Sequence, residues 1–289
     1  MGKIIHGSLV PHPPIIVPEI GGSELSKVKD TVDGMKKFSE SLKGLDPDAL
    51  VIISPHAPVI EDAVAVNQIP ILRGDFGSFS ARGVNFEVEN DLDLSELILD
   101  KGGELGLPMD TINANLLRAS RTTSILDHGI MVPLYYLREA GLDCPLVPIS
   151  ISFQPLKDMY LFGMAVKEAV EAAGRNVAII ASGDLSHRLL PSAPSGYAPE
   201  GILFDEKIRQ TVEERDPMIL LNMSDEFIHK AGQCGLRPLL MLLGAFEGRG
   251  LDSVLHSYEG PFGVGYMVAE FFPTGCDSER EYAHKIFGG

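Results

Sequence analysis

Short apolar runs rich in β-branched residues recur along this chain, and amphipathic stretches separate them. This alternation constrains the fold more than any other feature. A strand that is apolar at every position must be covered on both faces, and helices between successive strands supply the cover. Residues 49–54 (ALVIIS), 145–152 (PLVPISIS) and 177–182 (VAIIAS) are such runs, and 4–10 (IIHGSLV) reads as the first strand. Within 24–43, Leu25, Val28, Val32, Met35, Phe38 and Leu42 fall at helical spacing and predict one buried stripe. Further helices are expected at 92–105, 125–139, 155–173, 201–214, 216–222 and 234–246, and further strands at 63–67, 84–89, 252–258 and 264–272. The pattern predicts a single α/β domain over 1–273, with a mixed central β-sheet and helices on both faces, followed by a polar C-terminal tail, 274–289. The Pro/Gly-dense stretch 191–201 (PSAPSGYAPEG) reads as a long surface loop, the kind that often borders a site.

Charge narrows the partners. The chain has 24 basic and 40 acidic residues, a net charge of -16. Such a surface repels phosphate backbones and anionic lipid, so neither nucleic acid nor a membrane surface is an expected partner. The three cysteines, Cys144, Cys234 and Cys276, are too few for a disulfide framework and suit a reducing compartment. The first residues lack the pattern of a signal peptide, and no apolar run approaches the ~20 residues of a membrane span. A cytoplasmic protein is expected, and the sequence leaves a homo-oligomer open.

Three apolar strands end in histidine-bearing turns: Pro11-His12-Pro13-Pro14, Ser54-Pro55-His56, and Ser182-Gly183-Asp184-Leu185-Ser186-His187. Open α/β sheets bind ligands at the carboxyl ends of their strands, so three imidazoles there are expected to converge on one crevice. Proline beside His12 and His56 stiffens the loops, which suits metal ligands. A single histidine is more often an ordinary core or surface residue, and His6, His229, His256 and His284 are read that way. Asp184 reads either as a helix N-cap or as the carboxylate that orients the His187 ring. Cys234, in the run Ala231-Gly232-Gln233-Cys234-Gly235, reads either as an inert buried thiol or as a thiolate favoured by a helix start.

These turns, together with Asp127-His128-Gly129 and Val132-Pro133-Leu134, resemble in kind and order the catalytic subunit of class III extradiol ring-cleavage dioxygenases. The resemblance runs from the first strand to the last. Leu185-Ser186-His187-Arg188-Leu189, followed by Ala193-Pro194-Ser195-Gly196-Tyr197, is similar to the dioxygenase-like, Memo-related proteins of the AmmeMemoRadiSam system. The resemblance implies non-haem Fe(II) held by two histidines and a glutamate. His12 and His56 are then the metal histidines, His187 the acid–base histidine, and His128 a histidine behind the ligands or facing the substrate. The segment that resembles the glutamate's is 231–246, and Cys234 stands at the glutamate position, as cysteine does in Memo-type proteins. A thiolate is softer than a carboxylate and shifts preference toward Cu or Zn.

Three functions follow from this reading. The first is an extradiol-type oxidoreductase for a catechol-like small aromatic, with metal at His12, His56 and Cys234 and with His187, Asp184 and His128 as the catalytic set. The second is a Memo-like metal- or redox-binding protein without ring cleavage, working with a radical-SAM partner protein. The third is a hydrolase or lyase using Zn-bound water.

Overall fold

The computed structural model describes residues 1–119 and 126–288. Its strands are β1 (Lys3–Val10), β2 (Ala49–Ser54), β3 (Val64–Asn67), β4 (Ile71–Phe76), β5 (Ala81–Glu89), β6 (Met109–Ile112), β7 (Leu146–Ser150), β8 (Asn176–Ser182), β9 (Arg249–Glu259) and β10 (Tyr266–Cys276). Its helices are α1 (Pro18–Gly21), α2 (Lys29–Leu45), α3 (Leu92–Glu104), α4 (Ala114–Ala119), α5 (His128–Ala140), α6 (Leu156–Ala173), α7 (Pro199–Glu214), α8 (Met218–Leu221), α9 (Asp225–Ala231), α10 (Leu236–Gly244) and α11 (Ala283–Phe287).

Eight strands form one mixed sheet in the order β6-β3-β7-β2-β8-β1-β10-β9. The centre, β7-β2-β8-β1, is parallel. The far edge, β10 and β9, is antiparallel. Every residue of β2 is buried, and its side chains alternate between two cores. Val51 and Ile53 join the core under α3, α6, α7 and α10, while Leu50 and Ile52 join the one under α2 and α5. Each such side chain contributes about 1.5–3 kcal/mol relative to exposure, so a two-faced strand anchors both layers. The single α/β domain with a mixed sheet and helices on both faces is the architecture the alternation implied.

The differences lie at the periphery. The helix expected from 125 begins at His128, because Asp127 caps it by accepting the Gly129 N–H at 2.7 Å. The helix expected from 24 begins at Lys29, after a 3-10 stretch over Gly22–Val28. Strand β4, its hairpin pairing with β5 outside the main sheet, β6 and α9 were not expected. Strand β10 runs on to Cys276, past the boundary placed at 273. The tail beyond it is tied down, since the Tyr282 and Ala283 N–H groups donate to the buried Glu247 carboxylate at 3.1 and 2.8 Å. Among the described residues no helix is long and apolar enough to cross a membrane.

Candidate metal centre

Strands β2, β8 and β1 are adjacent and parallel, so their carboxyl ends open on the same edge. Each delivers one of the histidine turns there. His12 follows β1 and is 1% exposed. Its backbone N–H donates to Asp184 Oδ1 at 2.9 Å, and its Nδ1 lies 2.9 Å from Ser182 Oγ. The Ser182 hydroxyl donates its own proton to the Gly129 carbonyl, so toward His12 that oxygen only accepts. The ring proton of His12 is therefore on Nδ1, and Nε2 carries a free lone pair.

His56 follows β2 and is exposed. Ser54, the last residue of that strand, accepts the His56 N–H at 3.2 Å and donates to Asp127 Oδ1 at 2.7 Å. Gly129 lies so close that a Cβ there would meet Ser54 Oγ at 2.3 Å, which only glycine avoids. His128, the first residue of α5, packs its ring 4.2 Å from that of His56 and 5.3 Å from that of His12.

The His56 and His12 Nε2 atoms are 3.0 Å apart. Cys234 Sγ is 3.6 Å from His12 Nε2, 3.7 Å from His187 Nε2 and 3.6 Å from the Asp184 carbonyl. The strap carrying His187 is pinned to the segment carrying Cys234. The His187 N–H donates to the Gly232 carbonyl at 2.8 Å, and Ser186 Oγ donates to the Ala231 carbonyl at 2.7 Å. Gly183 permits this closeness, because a Cβ on it would sit 2.3 Å from Gly235 Cα. From α7, Asp205 accepts the Ser186 N–H at 2.8 Å and the Tyr258 hydroxyl at 2.7 Å.

Burial sets the charge states. It pushes His12 well below the ordinary histidine value, and the facing His56, His128 and His187 add to the drop. Burial and then His128 bring His56 down to about 4, although Asp127 pulls the other way. Burial also lowers His128 and His187. All four imidazoles are neutral at neutral pH, which is the state that binds metal. Burial raises Asp127, opposed by its Ser54 bond and by His56. It lifts Asp184 to about 7 against the His12 N–H bond.

The residues present fit a metal ion. Two nitrogens each about 2.1 Å from one ion and at right angles to each other stand about 3 Å apart. The 3.0 Å separation of His12 and His56 matches that spacing, and it is also the length of a hydrogen bond when His56 carries its ring proton on Nε2. One ligand atom from each of His12, His56 and His128 lies within 4.8 Å of the others.

All six residues singled out in the sequence gather here, but two behave differently from expectation. Asp184 does not bond the His187 ring and caps no helix; it holds the His12 backbone. Strand register explains this: Val10 stands opposite Ser182 in the parallel pair, so the residues after the two strands face each other. Cys234 does not gain acidity from a helix start. Helix α10 begins beyond it at Leu236, and burial, then the Asp184 charge, holds the thiol well above its ordinary value.

The remaining histidines lie elsewhere. His6 and His256 both bond Glu270, whose carboxyl burial would raise but which those bonds and one from Ser41 hold at about 2. His229 and His284 are exposed. Tyr197, in the loop after His187, is 53% exposed. Sequence reasoning missed Ser54, Ser182, Asp127 and Asp205 as supports. The first two left a signal, each being the lone hydroxyl that ends an otherwise apolar strand.

The chain is 34% identical over 272 residues to protein CA_C1420 of Clostridium acetobutylicum, covering 94% of this chain but 58% of that protein. It is 24% identical to the 3,4-dihydroxyphenylacetate 2,3-dioxygenase of Escherichia coli, over 84% of this chain and 90% of that one. A MEMO1 family protein of Pyrococcus furiosus is 30% identical over 49% of this chain and 43% of its own length. The crystal structure of the uncharacterized protein JW3007 from Escherichia coli K12 shares the fold, with a TM-score of 0.59, 17% identity, and coverage of 93% of this chain and 99% of that one. The model of the catalytic LigB subunit of aromatic ring-opening dioxygenase matches residues 6–269, and the chain belongs to that family.

Proposed function

We propose that the chain is a metal-dependent oxidoreductase of the extradiol type. Its non-haem Fe(II) is held by His12, His56 and Cys234, and its substrate is a catechol-like small aromatic. The observation that carries this reading is the pair of Nε2 atoms of His12 and His56, 3.0 Å apart. Membership of a ring-opening family and the likeness to a named catechol-type dioxygenase support the reaction class. When bound, Fe(II) supplies open positions at which two catechol oxygens and O2 meet. Both atoms of O2 enter the product as one ring carbon–carbon bond breaks, so no outside reductant is consumed.

The protein's own groups do the rest. Burial keeps His187 neutral, so its Nε2 takes the catechol proton as a general base and later returns it. Ser182 and Asp184 hold His12 in tautomer and position. His128, against the His56 ring, faces the substrate.

Cys234 favours a second reading, a Memo-like metal- or redox-binding protein without ring cleavage that works with a radical-SAM partner. Among the described residues the donor cluster is three imidazoles with no carboxylate. Oxygen uptake by Fe(II)-loaded protein with simple catechols, beside metal analysis of protein purified without chelator, separates the two. Uptake by the natural protein supports the first reading. Uptake confined to the Cys234→Glu variant assigns the natural protein to the second. If the thiol is a ligand, Cys234→Ala lowers metal affinity at least about tenfold. Unchanged metal content with continued uptake in that variant would make His128 the third donor.

A further inference from the structure

Between β3 and α3 the chain leaves the main sheet to build the hairpin β4–β5, which among the described residues pairs with no other strand. Two phenylalanines root it in the core, Phe76 at 0% and Phe86 at 4% exposure. The tip is a fixed turn: Asp75 Oδ1 accepts the Gly77 N–H at 2.6 Å, and Ser80 takes the left-handed conformation at φ 64. Between these anchors a third phenylalanine, Phe79, stays 37% exposed. Its ring stands 6.2 Å from Phe76 on one side and 5.7 Å from His128 on the other, edge to face in both contacts. His128 in turn lies 4.2 Å from the ring of His56. Imidazole and phenyl thus form successive layers outward from the donor atoms, and the outermost is apolar with part of its surface uncovered.

Phe79 differs from its two buried neighbours in keeping part of its ring uncovered. Exposing part of a large apolar ring on a rigid tip forgoes burial energy unless something else covers it. What would cover it is set by geometry. Aromatic rings pair favourably edge to face or offset at centroid separations of about 4.5–7 Å. His128 links the two places, its ring 4.2 Å from that of His56 and 5.7 Å from that of Phe79, so a planar aromatic whose oxygens reached the donors of His12 and His56 would be one imidazole's width from Phe79. Resting on the functional reading above, we propose that Phe79 is the wall against which the substrate's aromatic ring packs. The hairpin exists to hold it there, which makes Phe79 a residue that selects flat aromatic substrates over aliphatic diols.

The test is anaerobic titration of Fe(II)-loaded protein with 4-nitrocatechol, followed by the visible absorbance of the bound probe, for the natural protein, Phe79→Leu and Phe79→Ala. Iron content is measured for all three. Phe79→Ala is expected to bind the probe about tenfold more weakly, with Phe79→Leu between the two and iron content unchanged. In turnover the loss should appear in KM more than in kcat. Equal probe affinity in all three proteins overturns the proposal and leaves the functional reading standing. Absence of probe binding by the natural protein overturns both. Equal loss of iron in both variants also overturns it, since Phe79 would then support His128 and the metal rather than the substrate.

Discussion

One hydroxyl proton decides the state of His12. Ser182 gives its proton to the Gly129 carbonyl and so draws the ring proton of His12 to Nδ1, leaving Nε2 for a metal. Among the described residues, Ser182→Ala removes the only acceptor seen for that proton. A buried donor is left unsatisfied at a cost of about 1–3 kcal/mol, and the tautomer is no longer held. Metal affinity should drop about 10–100-fold, read by competition with a chromophoric chelator, while β8 keeps its apolar packing. An unchanged affinity would mean that packing alone orients the ring. His12 and His56 were legible as candidates because each lies two residues beyond an apolar strand. The partner of Asp184 was not, because the bond joins residues 172 positions apart and depends on which strands are neighbours. Local spacing pointed to His187, three residues away, and sheet register overrode it.

The strap after β8 shows how an element can be held through one carboxyl group. Asp205 on α7 grips Ser186 and Tyr258, and burial lifts it to about 7 even though both bonds favour the ionised form. Its folded value therefore lies above the unfolded one. The protonated form favours folding, and that stability is present at low pH and lost as pH rises from about 4 through about 7. Asp205→Asn keeps an acceptor for the Ser186 N–H and cannot ionise. Chemical denaturation at pH 5 and pH 8 should show the natural protein losing more stability across that interval than the variant, by a few kcal/mol. Equal losses would show that Asp205 does not carry the pH dependence. Strands such as β2 and β8 were readable because burial on both faces leaves nothing but apolar residues. Strands β4 (ILRGDF) and β6 (MDTI) were not, because their half-exposed faces mix in polar residues, whereas β5 was legible over 84–89, where buried Phe86 and Val88 alternate with exposed neighbours. The Phe79 wall was hidden with the hairpin that carries it.

At the scale of the whole molecule, Glu247 is the clasp for the last turn of the chain. Its carboxylate receives the Tyr160 hydroxyl as well as the Tyr282 and Ala283 N–H groups. Glu247→Ala should free residues 277–288, so that limited proteolysis trims them from the variant well before it touches the natural protein. Equal resistance would mean that the apolar contacts of Ile286 suffice. Composition marked this segment only as a polar tail, because one buried carboxylate 35 residues away, in the turn between α10 and β9, leaves no trace in the tail's own residues. The order of the sheet also bears on how the molecule is made. Strand β1 is the first to be synthesised, yet it finishes between β8 and β10. The groups that secure His12, namely Ser182, Asp184 and Cys234, lie 170, 172 and 222 residues downstream. Translation at roughly 5–20 residues per second leaves that first strand without its partners for many seconds. Such long-range pairing slows folding and leaves an apolar edge for chaperones to shield. The site is therefore completed late: a nascent chain halted before residue 182 would display His12 and His56 and have no frame to bring them together.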